Sequence, residues 1–143
     1  MQKLTNYKLK DNSEQWFLVD ATNVRIGILS SKLAQLLMGK DMVDRVDYIA
    51  PNRKVVVINA AAVSVFHTRL IKKRYYRYSG WQGGLKSKSL GEILENRPDE
   101  LLKLSVSRML PKNKLRDVYL ANMLVYKTAQ HKHDAQQPKL ITL

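Results

Sequence analysis

The sequence predicts an α/β domain with strands suited to a parallel sheet. Trp16-Phe17-Leu18-Val19-Asp20 is a short apolar run, and Ile26, Leu29, Leu33, Leu36 and Leu37 follow it at helical spacing. A strand leading directly into a helix is the opening of a strand–helix–strand unit. Lys54-Val55-Val56-Val57-Ile58-Asn59 is a block dominated by β-branched residues, which suits an interior strand covered on both faces. The length of 143 residues, 45% of them apolar, fits one domain that buries roughly two-thirds of its unfolded surface.

Taken in order, residues 1–15 are polar and read as an N-terminal arm. The strand at Trp16–Asp20 looks buried on both faces, Ala21 to Asn23 make a turn, and Gly39 stands where the following helix needs a C-terminal cap. Residues 40–53 are charged and irregular. After the valine-rich strand, Val63 to Phe66 reads as another short strand, and Lys73 to Tyr78 as an extended segment. In such a segment Tyr76 and Tyr78 share one face while Tyr75 and Arg77 share the other, and at least one tyrosine is expected to be structural. Ser89-Leu90-Gly91-Glu92 has capping-box spacing and should start a short helix. Pro98 with Asp99 and Glu100 opens another, since proline suits the first helical position and acids suit the dipole. Leu102, Val106, Met109 and Leu110 give that helix its apolar face, and Pro111 ends it. A third helix is expected over Lys114 to Met123, then a strand at Leu124-Val125-Tyr126. Residues 16–126 thus read as the core and 127–143 as a polar, extended tail.

The charge is far from balanced: 25 Lys and Arg against 12 Asp and Glu leave +13. Self-repulsion of that size opposes compaction, and a polyanionic partner relieves it. The excess is concentrated. From Tyr48 to Gly91 there is no Asp or Glu, while nine Lys or Arg occur. Within that stretch, KKRYYRYSGWQGGLKSK combines six cations with four aromatics and three glycines. Cations attract phosphate, rings stack on bases and glycines let backbone approach closely. The pattern points to nucleic acid, and to RNA in particular.

Other chemistries find little footing. With no cysteine, disulfides and thiolate metal sites are excluded. The first residues lack the apolar core of a secretory signal, and no apolar run approaches a membrane span, so a cytoplasmic protein with no membrane partner is expected. Gly80 to Ser87 fails the spacing of a nucleotide-binding loop because Leu85 separates Gly84 from Lys86. His131 and His133 with Asp134 are too few for a metal site, and His67 stands alone with a structural role as its default. Asp41, Asp44 and Asp47 lie among Lys40 and Arg45 and read as a solvated face. No serine carries a nucleophile-elbow or triad signature, so no cofactor, catalytic residue or small-molecule substrate is assigned. An enzyme acting on nucleotides at the strand ends is the main competing reading. A DNA-binding module is the third, without an obvious basic recognition helix. At Met109-Leu110-Pro111-Lys112-Asn113-Lys114 two readings stay open: a helix stop with solvated lysines, or phosphate contact by Lys112, Lys114 and Arg116.

Several segments together resemble one family. They are Trp16-Phe17-Leu18-Val19-Asp20-Ala21, Val57-Ile58-Asn59-Ala60, Tyr75-Tyr76-Arg77 with Gly80, Gly83-Gly84-Leu85-Lys86, Met109-Leu110-Pro111-Lys112-Asn113, and His131-Lys132-His133-Asp134-Ala135-Gln136-Gln137-Pro138. In order and spacing the chain resembles the bacterial large-subunit (50S) ribosomal protein L-thirteen family nearly end to end. The resemblance implies a single three-layer α/β/α domain around a small, mainly parallel sheet, with basic loops and extended termini. It also implies a non-enzymatic structural role, binding 23S-type rRNA beside neighbouring large-subunit proteins and supporting early subunit assembly. Within the matching motifs it implies RNA contacts by Tyr76, Arg77, Gly83, Gly84, Lys86, Lys112, Asn113, His131 and His133. Lys73, Arg74 and Lys114 join them on charge alone. The chain departs from the family where Tyr78, Trp81 and Gln82 replace a usual His, Tyr and Pro. It departs again at residues 45–53, and at Arg108, where glycine is usual.

Overall fold

The computed structural model of the chain describes residues 13–142; most of the expected N-terminal arm lies outside the described residues. Four parallel strands form the central sheet in the order β5-β2-β1-β6: β1 is Gln15–Asp20, β2 Arg53–Ile58, β5 Met123–Val125 and β6 Lys139–Ile141. The predicted α/β class with a mainly parallel sheet is what is observed. The register pairs Trp16 with Lys54, Val19 with Val57, and Val57 with Val125.

Chain direction sorts the layers. From β1 to β2 to β5 the chain steps one way across the sheet, so right-handed connections lie on one face; from β5 to β6 it steps back, placing that connection on the other. On the first face Val19, Val55 and Val57 pack with Leu29, Leu33 and Leu37 of α1 (Ile26–Leu37) and Leu102, Val106 and Leu110 of the long helix Pro98–Met109. On the opposite face the Trp16 ring lies 5.0 Å from His133, in the tail that leads through a 3-10 turn at Asp134–Gln136 to β6. The polar tail therefore supplies an edge strand, which its Lys139-Leu140-Ile141 sequence hardly advertises. β1 is interior but only Val19 is fully buried; Trp16, Phe17 and Leu18 are half-buried.

Helix α1 ends as its glycine demands. Gly39 takes φ +65°, its N–H donates to the Leu36 carbonyl, and the Lys40 N–H donates to the Gln35 carbonyl, each at 3.0 Å, the paired bonds of a Schellman cap. A Cβ there would meet Pro51 Cγ at 3.1 Å and Met42 Sδ at 3.2 Å. Gly39→Ala is expected to cost roughly 1–2 kcal/mol through the left-handed backbone, measurable by urea unfolding. At the helix–helix contact the buried Ser30 hydroxyl donates to the Ile26 carbonyl at 2.7 Å and shares a hydrogen bond with the Ser105 hydroxyl at 2.9 Å.

Three expectations need correction. Val63 to Phe66 is not a strand: among the described residues its pairing is a single bridge between Arg25 and Ser64. Among the described residues no neighbouring strand extends the pairing, and a short helix, α2 (His67–Lys72), begins after Phe66. His67 is the exposed first residue of that helix rather than a structural residue at a strand end. Asp41 is not merely solvated, since its carboxylate pairs at 2.5 Å with Arg53, a residue only 7% exposed. Asp47 pairs with Arg45.

The carboxyl ends of β1 and β2 are tied by Asp20. Its Oδ1 accepts from the Thr22 hydroxyl at 2.6 Å, the Thr22 N–H at 2.9 Å and the Asn59 amide at 3.0 Å. These bonds, the Thr22 hydroxyl first, hold its carboxyl below the usual aspartate range. A carboxyl depressed in the folded state adds stability that is present above its unfolded pKa and lost as pH falls through its folded value. Asp20→Asn should therefore lower the melting temperature at neutral pH, change it least in acid, and so flatten the acid limb of the profile.

Candidate nucleic-acid interface

The basic aromatic segment folds into a two-stranded antiparallel hairpin outside the main sheet, β3 (Arg74–Tyr78) paired with β4 (Leu85–Ser89). Its base is fixed at both ends. Lys73 donates its N–H to the Arg69 carbonyl at the end of α2, and its own carbonyl accepts the Leu90 N–H at 2.9 Å. Beyond β4, Ser89 caps α3 (Leu90–Asn96) in the capping box the sequence predicts: the Glu92 N–H donates to Ser89 Oγ at 3.2 Å and the Ser89 N–H to the Glu92 carboxylate at 3.4 Å. The helix Pro98–Met109, here α4, packs beneath.

Residues 79–84 make the turn. The Gly84 N–H donates to the Trp81 carbonyl at 2.9 Å, and Gly83 takes φ +75°. A Cβ on Gly84 would stand 2.0 Å from Ser79 Oγ and 3.0 Å from the Trp81 carbonyl oxygen. The tip therefore needs both glycines and presents Trp81, 80% exposed, to solvent.

The register separates two chemistries. Arg74 pairs with Ser89, Tyr76 with Ser87 and Tyr78 with Leu85, so these six side chains share one face. Tyr76 and Tyr78 are each more than 60% exposed there. Tyr75 pairs with Lys88 and Arg77 with Lys86, so one aromatic and three cations share the other face. The predicted division of the tyrosines holds, and Tyr75 is the structural one. It packs on the cluster of Leu90, Ile93 and Leu101, with Lys73 Nζ 5.3 Å and Arg108 Cζ 5.0 Å from its ring centroid. Like charges directly opposite in an antiparallel pair destabilise it, yet Arg77 faces Lys86. Among the described residues, no carboxylate lies within salt-bridge distance of Lys73, Arg74, Arg77, Lys86 or Lys88. Arg74 donates only a long 3.4 Å bond to Ser87 Oγ.

Arg108 also links this hairpin to the second basic loop. It belongs to the last turn of α4, and Lys112, Asn113 and Lys114 follow on the surface, before α5 (Leu115–Ala121). Arg116 folds back, its Nε donating to the Pro111 carbonyl at 3.2 Å, so it shapes the loop while Lys112 and Lys114 stay exposed. The third helix is thus shorter than expected, and the following strand begins at Met123. Sequence reasoning misses Arg108; the signal for it is its place where the resembled family has glycine.

His131 and His133 belong to another layer. Their rings lie 6.3 and 5.9 Å from Tyr126, His133 also stacks at a tilt on Trp16, and the His131 side chain is only 11% exposed. His131 Nδ1 accepts the His133 N–H at 3.3 Å. Packing against the sheet, rather than open presentation, describes them here. Among the described residues no group of His, Asp and Glu is placed to hold a metal ion, and no helix is long and apolar enough to cross a membrane.

Comparison with known proteins bears on this geometry. The family model "Ribosomal protein L13" matches residues 14–132. A Pelobacter propionicus protein named "Large ribosomal subunit protein uL13" is 40% identical over 136 residues, 95% of this chain and 96% of that protein. A namesake from Kocuria rhizophila is 43% identical over 129 residues, covering 90% and 88% of the two chains. "Large ribosomal subunit protein uL13c" of Gracilaria tenuistipitata var. liui is 37% identical over 131 residues, 92% of each.

Proposed function

Since the chain belongs to the ribosomal protein L13 family, we propose that it is held in the large ribosomal subunit by rRNA, which it grips chiefly through the β3–β4 hairpin. The family is one of structural, non-enzymatic ribosomal proteins serving translation, and a structural ribosomal role is this chain's as well. The observation that carries the finer reading is the cation face of the hairpin. Arg77 opposite Lys86, with Lys88 beside them and no acid in reach among the described residues, is an arrangement that phosphate relieves.

The remaining parts divide by chemistry. Lys73, Arg74, Arg77, Lys86, Lys112 and Lys114 supply phosphate contacts, which position the protein. Tyr76, Tyr78, Trp81 and Asn113 supply stacking and edge contacts to unpaired nucleotides. Gly83 and Gly84 let the turn backbone lie against RNA, and His131 and His133 contribute at the margin of the tail. Neighbouring large-subunit proteins and 23S-type rRNA are the partners, and early binding that supports subunit assembly is the consequence for the particle. The α/β core is the rigid scaffold that holds these loops.

The test is binding of the purified chain to a large-subunit rRNA transcript over a salt series. Affinity should fall steeply and linearly on a log–log plot, as counterion release requires. Duplex DNA at the same salt should bind more weakly. Equal affinity for duplex DNA, or turnover of a free nucleotide, would contradict the reading.

A further inference from the structure

We propose that Arg25, Phe66 and Arg69 form a second phosphate-binding site, which holds the backbone of an RNA strand that also reaches the hairpin. The proposal rests on the RNA-binding reading above but concerns residues outside the hairpin and outside the motifs that carry the family resemblance. Phe66 and Arg69 are neighbours at the start of α2, and the fold brings Arg25, which precedes α1, to them. The Arg25 guanidinium sits over the Phe66 ring at 5.0 Å from its centroid, and that of Arg69 at 5.6 Å. The ring itself is 54% exposed, and both arginines are exposed.

Two like charges on one exposed ring repel each other. Among the described residues neither guanidinium has a carboxylate within salt-bridge distance, and the chain around Phe66 is acid-free from Tyr48 to Gly91. Stacking on a ring also fixes a guanidinium without spending its N–H donors. The planar fork is then positioned in advance and free for bidentate bonding to a phosphate. The backbone beneath is firm. Ser64 donates its N–H to the Val24 carbonyl at 3.0 Å, and its carbonyl accepts the Ile26 N–H at 3.2 Å. These bonds lock the segment carrying Phe66 to the one carrying Arg25.

Position selects RNA over an acidic protein surface as the ligand. α2 is six residues long, about 9 Å at the helical rise. It runs from this platform directly into Lys72, Lys73 and Arg74 at the hairpin base. One polyanionic strand can therefore lie along platform, helix and hairpin.

Two measurements test this. The first compares the parent chain with R25Q/R69Q for binding to a large-subunit rRNA transcript over a salt series, with melting temperature recorded for each. The double variant should bind about tenfold more weakly, or worse, for each guanidinium lost. Its salt dependence should be shallower by about one unit of log–log slope per contact, with its melting temperature within a few degrees of the parent's. R25K/R69K should recover the slope. The second uses the parent alone: phenylglyoxal modification of Arg25 and Arg69, mapped by mass spectrometry, should fall when the transcript is added. A folded R25Q/R69Q with parental affinity and slope, or undiminished modification, overturns the proposal while leaving the hairpin reading intact. Protection by polyglutamate but not by transcript overturns it in favour of an acidic protein partner. A parent that ignores the transcript overturns both readings together.

Discussion

Replacing Arg74, Arg77 and Lys86 together with glutamine is expected to weaken rRNA binding by on the order of 10²–10³-fold at low salt, with the fold intact. The three side chains are exposed and meet no carboxylate among the described residues. Their removal therefore breaks no ion pair there, and it ends the facing of Arg77 and Lys86 across the strands. The free chain should be as stable as before or slightly more so, while the complex loses three charge-assisted contacts. That opposite movement of stability and affinity distinguishes a binding patch from a structural one. Tyr75→Ala is the converse control. It removes the ring held between Lys73 and Arg108 on the Leu90–Ile93–Leu101 cluster, so it should loosen the hairpin base and lower stability and affinity together. Circular dichroism with filter binding across salt reads both. Unchanged affinity in the folded triple variant would remove the hairpin from the interface.

Asp41→Ala should be the most damaging single charge deletion, lowering stability by about 3 kcal/mol in urea unfolding. The figure comes from the cost of leaving a buried charge unpaired, roughly 3–5 kcal/mol, taken at its lower end because Asp41 itself is half-exposed. Arg53 opens β2 beneath Phe17, with its guanidinium 5.3 Å from that ring and its Nε donating to Gln15 Oε1 at 3.1 Å. Without Asp41 the remaining partners are neutral. Asp41→Asn keeps an acceptor oxygen and should cost less, and Asp44→Ala, which lies in no ion pair among the described residues, should cost within about 0.5 kcal/mol. Equal losses for the three variants would mean that the Arg53 pair contributes nothing particular.

The parts of the fold legible in the sequence are those whose pattern is set by burial or by a cap. β1, α1 and β2 announce themselves because the sheet interior demands valines and α1 presents one leucine stripe to it. Ser89 and Glu92 mark α3 because their side chains satisfy the end of the helix themselves. β4 and α2 escape notice for the opposite reason. Leu85-Lys86-Ser87-Lys88-Ser89 has no β-branched residue and buries little, so strand pairing alone defines it. α2 spans six residues with none buried. β6 is three residues of a polar tail, recruited by pairing to β1.

The candidate site divides in the same way. Its composition, cations with rings and no acid, is a local property and visible in one stretch of chain. The alternation of Tyr75 and Arg77 against Tyr76 and Tyr78 follows from strand geometry. The inward turn of His131 and His133, the contact of Arg108 with Tyr75, and the seating of Arg25 on Phe66 are long-range consequences of topology. No spacing rule could supply them. Asp41 belongs with these, because its partner Arg53 is defined by the register of β2 rather than by the aspartates around it.

Sucrose-gradient sedimentation of a native lysate in moderate salt, with the chain followed by immunoblot, decides whether the chain is a component of the large subunit. The chain should travel with the large subunit and with intact ribosomes. It should leave them only when salt is raised far enough to strip phosphate contacts. A chain found at the top of the gradient in moderate salt, free of particles, would contradict that placement.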